Sequence, residues 1–97
     1  MAHDDALQED VRRLHEHLAA TQERPVERMA SRWIGEAEAV VADLVDADVD
    51  PGVLRTRLSH VEELLDNVDD TGDATAADHV AAAERITTDL LDRLGAD

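Results

Sequence analysis

Two pairs of carboxylates, Asp43-x-x-Asp46 and Glu63-x-x-Asp66, have a spacing that suits work with a divalent cation. Residues three apart share a helix face, so two such pairs on neighbouring helices can hold magnesium between them for attack on a diphosphate. Histidines are the second reservoir of chemistry. His15 and His17 are two apart and point to different sides of a helix, whereas His60 and His79 flank two apolar seams that antiparallel packing would bring together. With Glu63 three residues beyond His60, these form a candidate metal set. There is no cysteine to act as a thiol nucleophile, Ser31 and Ser59 have no triad context, and the glycines are too scattered to cradle a phosphate.

The carboxylate pattern is similar to that of the all-α nucleotide pyrophosphohydrolases, in which EExxE is followed after a spacer by ExxD. The resemblance implies magnesium-dependent hydrolysis with Asp43, Asp46, Glu63 and Asp66 as the catalytic set. The departures are substantial: the leading double Glu is absent, Asp replaces the longer Glu, and no Lys is present to meet a phosphate. Acidic pairs at the same spacing recur at Asp66/Asp69, Asp70/Asp73 and Asp89/Asp92, as chance dictates in so acidic a chain. Asp69-Asp70-Thr71-Gly72-Asp73 matches the DDxxD of isoprenoid synthases, but no second acidic motif faces it, and a solvated turn is expected. Asp46-Ala47-Asp48-Val49-Asp50 begins like a calcium loop, yet Pro51 and Arg57 stand where that loop needs Gly and a bidentate Glu. The Glu-x-x-His step of ferritin-like di-iron bundles is absent. No catalytic residue, cofactor or metal is therefore assigned. The carboxylate set and the His60, Glu63, His79 set stand as alternatives to a non-catalytic protein.

The elements that would position these residues follow from one shared period. Leu7, Val11, Leu14 and Leu18 step by alternating fours and threes. So do Val26, Ala30, Trp33, Ala37, Val40, Leu44 and Ala47; then Leu54, Leu58, Val61, Leu65 and Val68; and last Ala76, Val80, Ala83, Thr87, Leu90 and Leu94. This spacing lines one face of a helix and gives the seam of left-handed bundle packing. It predicts helices over about 5–20, 25–47, 51–68 and 75–94 in one all-α domain, a four-helix up-down antiparallel bundle. Asp4 or Asp5 is expected to cap the first helix and Pro25 to sit in the first turn of the second. Asp50 before Pro51 should cap the third, and Thr75 with Asp78 the fourth. Gly95 is expected as a left-handed C-terminal residue.

Helix 2 carries a second apolar row at Met29, Ile34, Val41 and Val45 beside its main seam. One groove does not need so much apolar surface, so these residues and Trp33 are the interface candidates of an expected homodimer. Arg24, Arg28 and Arg32 step by four at the start of the same helix, with Glu23, Glu27 and Glu36 nearby to compensate them. The stripe is expected to be a solvated or subunit-bridging face. Nucleic acid is not an expected partner, because the overall field repels a phosphate backbone.

All nine cations of the 97-residue chain are Arg, against 24 Asp and Glu, for a net charge of −15. Apolar residues make up 43% of the chain, but there is no Phe or Tyr and only one Trp. A core of Ala, Val and Leu returns little, and strong salt both screens carboxylate repulsion and strengthens apolar burial. In this composition the chain resembles the cytosolic proteins of halophilic archaea. No apolar run is long enough to cross a membrane, and Met1-Ala2-His3-Asp4-Asp5 does not begin a signal peptide, so a cytoplasmic location without membrane contact is expected. The resulting expectation is a non-catalytic interaction or adaptor module that forms a homodimer or contacts another cytosolic protein.

Overall fold

The computed structural model describes residues 2–95, and for residues 2–5 the backbone alone. Four helices follow in order: α1 (Ala2–Thr21), α2 (Arg28–Ala42), α3 (Pro51–Asp66) and α4 (Ala74–Gly95). Each packs on its two neighbours in a closed ring, with α1 against α4 as the last side, and the backbones of the diagonal pairs lie farther apart. The bundle measures 40 × 19 × 18 Å. Among the described residues there is no strand, and no helix is long and apolar enough to cross a membrane.

Three seams run as the period predicts. Val11, Leu14 and Leu18 on α1, Leu54, Leu58, Val61 and Leu65 on α3, and Ala76, Val80, Ala83, Thr87 and Leu90 on α4 are all buried. The buried hydroxyls of Thr21 and Thr87 donate to the carbonyls of His17 and Ala83 one turn back, which removes their desolvation cost.

Helix α2 is turned relative to expectation. Its buried residues are Ala30, Ile34, Ala37 and Val41, while Trp33 and Val40 sit half-buried at the rim. Both rows share Ala30 and Ala37; the choice between them is one of volume. A bundle this narrow, closed over alanines, accommodates Ile34 and leaves the indole to lie along the surface under Arg32.

The helix ends differ from the sequence expectations in instructive ways. Helix α1 already includes positions 4 and 5, so neither Asp4 nor Asp5 is the residue before it, and their side chains lie outside the described residues. Pro25 precedes α2 by three residues, because the Glu27 carboxylate accepts from the Met29 and Ala30 amides and starts the helix later. Asp50 and Pro51 open α3 as predicted. Asp73, rather than Thr75, caps α4 by accepting from the Ala76 amide at 2.9 Å. Gly95 continues α4 with no left-handed turn. Helix α2 stops at Ala42 rather than 47, and Asp46 adopts φ of 59° in the loop that follows. The Gln8 amide of α1 holds that loop, donating to the Ala47 carbonyl and accepting from the Asp46 amide.

Candidate functional site

Antiparallel packing decides which candidate residues meet. Asp46 lies at the α2 exit, beside the start of α3, whereas Glu63 follows Pro51 by twelve residues, about 18 Å along the helix. The two carboxylate pairs therefore occupy opposite ends of the bundle and cannot share a magnesium ion. Asp43 is exposed, and Asp46 is engaged by the Arg12 guanidinium at 3.0 Å. Asp66 acts instead on Glu84 of α4, whose carboxyl is held above its ordinary value first by desolvation and then by the Asp66 charge.

The His60, Glu63, His79 set is also dispersed. His60 and Glu63 are exposed neighbours 3.8 Å apart on α3. Arg55 lies near Gly95, and Asp66 shares a groove with Glu84, so His60 is level with residues near 90. His79 is about ten residues away from that level, roughly 15 Å, and belongs to the α1 side of α4. Among the described residues no three His, Cys, Asp or Glu side chains group around a point.

The expectation that His15 and His17 diverge is met, and each finds a partner on a different helix. His15 Nε2 lies 2.6 Å from the Glu38 carboxylate of α2. His17 Nδ1 lies 3.0 Å from His79 Nδ1 of α4, with ring centroids 5.2 Å apart and planes inclined by 48°. Both rings are half-buried. The His17 imidazole is held below its ordinary pKa by desolvation first, then by His79, Arg13 and Arg85, with Glu16 opposing. Sequence reasoning missed this pair because its members are 62 residues apart and meet only through α1–α4 packing. The spacing that places His17 beside the Leu14/Leu18 seam was the available signal.

The acidic turn at 69–73 is less solvated than expected. Thr71 is buried and its hydroxyl donates to the Asp73 carbonyl, while its own carbonyl accepts from the Glu27 amide at 2.8 Å. Arg24 binds both oxygens of Asp73 at 3.0 Å, which, with the Ala76 amide, holds the Asp73 carboxyl below its usual range. Arg24 is therefore committed to a loop.

Of the interface candidates, Ile34 and Val41 are fully buried inside the bundle and Val45 is half-buried against it, so they do not form an outer apolar row. Met29 is 49% exposed, and half-buried Trp33 lies one turn on, with the Arg32 guanidinium 5.9 Å from its ring. Arg32 also reaches Glu36 at 3.4 Å.

Residues 10–97 match a family described as Domain of unknown function (DUF8152). No curated protein and no solved structure matches the chain.

Proposed function

The chain belongs to the DUF8152 family, and we propose that this member is a non-catalytic interaction module that pairs with a second copy of itself through the outer face of α2. The observation that carries the proposal is the position of Trp33. It is the sole aromatic residue of the sequence, yet it lies at the bundle surface beside exposed Met29 and under Arg32. Trp, Met and Arg are the side chains that protein interfaces favour and that most often anchor them.

Charge along this face supports a twofold partner. Arg28 and Arg32 occupy its first half, Glu36 its second, and Asp43 the C-cap just beyond. Two antiparallel copies of α2 related by a twofold axis set each basic half over the partner's acidic half, a self-complementary arrangement. The absence of Lys and the net charge of −15 support a salt-rich cytoplasm as the setting.

Sedimentation equilibrium in molar KCl tests this. The expected result is twice the 10.6 kDa chain mass, reverting to a single chain in Trp33→Ala or in Arg28→Glu/Arg32→Glu. A single-chain mass for the unmodified protein at high concentration removes the proposal.

A further inference from the structure

We propose that the self-association face extends from α2 onto α3, as a groove between the two helices in which Met29 of each copy packs on Val53 of the partner subunit. This rests on the pairing of copies proposed above and specifies its register. Met29 and Val53 are the exposed large apolar side chains among the described residues, at 49% and 44%. They stand at opposite ends of one stripe. Val40 shares a surface groove with Arg57 and His60, which marks the side of each helix that faces the other. Trp33 lies two turns before Val40 and Met29 one turn further, while Val53 lies one turn before Arg57, so all of them border that groove.

Val40 is level with the stretch of α3 that holds Arg57 and His60. At about 1.5 Å per residue, Met29 then lies about 16 Å to one side of that level and Val53 about 8 Å to the other. Their midpoint falls beside Ala37. A twofold axis lying in the face at this height, perpendicular to the helices, runs α2 antiparallel to its copy and carries Met29 onto the partner's Val53. The apolar pair alone fixes the axis, yet the charges agree with it. Exposed Arg57 comes opposite the partner's Trp33, a cation over the sole aromatic ring, with the partner's Glu36 one turn away. Asp43 comes opposite the partner's Arg32. Apolar ends, a stacked guanidinium and opposed charges thus coincide in one register, which pairing through α2 alone does not supply.

The chain has no cysteine, so a single introduced thiol reports one position. Met29→Cys and Val53→Cys chains are mixed in equal amounts in molar KCl and oxidised gently, beside each variant alone. The expected product is a disulfide-linked pair of one Met29→Cys and one Val53→Cys chain, identified by mass. Either variant alone should stay a single chain under denaturing conditions. A disulfide needs Cα atoms about 4.4–6.8 Å apart, whereas two copies of the same residue would stand about 25 Å apart along the helices. Val53→Asp should also weaken dimerisation about tenfold or more in sedimentation. Ala81→Asp, which adds the same charge on the exposed face of α4, should change it far less. A sedimenting dimer that forms no mixed disulfide, that links Met29→Cys to itself as readily, or that tolerates Val53→Asp as well as Ala81→Asp overturns the groove and leaves pairing through α2 standing. A single-chain mass for the unmodified protein overturns both.

Discussion

The rotation of α2 can be tested by comparing two alanine substitutions in adjacent residues. Ile34 is fully buried, and Ile34→Ala removes three carbon atoms from the core. At about 0.8 kcal/mol per buried methylene the transfer loss is about 2.4 kcal/mol. An incompletely collapsed cavity adds about 1–2 kcal/mol, for a total near 4, inside the range of about 2–5 measured for such changes. Trp33 is the larger residue, but it is only half-buried at the rim. Its replacement should therefore cost only about 1–2 kcal/mol. The ratio reverses what size alone dictates. Urea unfolding followed by far-ultraviolet circular dichroism, with all chains in the same buffer of about 2 M KCl, gives both values without relying on indole fluorescence. Because each kcal/mol moves the melting temperature of a domain this size by about 4–8 °C, Ile34→Ala should melt at least about 15 °C below the unmodified chain. Measured at a chain concentration too low for self-association, a Trp33→Ala cost equal to or above that of Ile34→Ala would refute the observed rotation and put the indole in the core.

Three further outcomes are expected. Exchange from about 2 M to about 50 mM KCl should lower the urea midpoint, since the 24 carboxylates lose screening and the aliphatic core loses salt-strengthened burial; equal midpoints would refute a salt-adapted fold. Gly72 has φ of 76°, and a Cβ there would meet only Glu27, its Cβ at 3.9 Å and its backbone N at 4.0 Å, both ordinary contacts; Gly72→Ala should thus cost about 1–2 kcal/mol from backbone conformation alone, and a neutral result in the same unfolding assay would contradict that geometry. Because the folded-state pKa of His17 lies below its ordinary 6.5, the unfolded chain binds more protons in the window just under that value. Stability should fall as pH drops through this window, and a pH series on His17→Gln should lose that component.

The existence of the helices was legible because a period of alternating fours and threes has one physical reading, and Asp50-Pro51 marks the start of α3 by its own chemistry. The rotation of α2 was not legible. Residues 33 and 34, and again 40 and 41, are adjacent apolar pairs, so either row satisfies the period. Only the narrow space between packed helices selects Ile34 and Val41. The early end of α2 was hidden for another reason: it depends on the Gln8 amide, 39 residues from Ala47. The candidate site failed on the same ground. Spacing places Asp43/Asp46 and Glu63/Asp66 on helix faces, but the distance between the pairs is set by chain direction. His17 and His79 required knowing that α1 closes the ring against α4.

The connections are tied down at both ends of the bundle. At one end Gln8 and Arg12 grip the α2–α3 connection; at the other, Glu27 and Arg24 bind Thr71 and Asp73 across two connections. This matters because a seam of alanine, valine and leucine is smooth. Slid by one heptad, about 10 Å of helix, such a seam meets much the same small apolar side chains and loses little burial. The loop contacts have no equivalent in the slipped arrangements, so they act as a vernier that gives a low-relief core a single alignment, and removing them should yield a chain that stays helical but no longer keeps one packing.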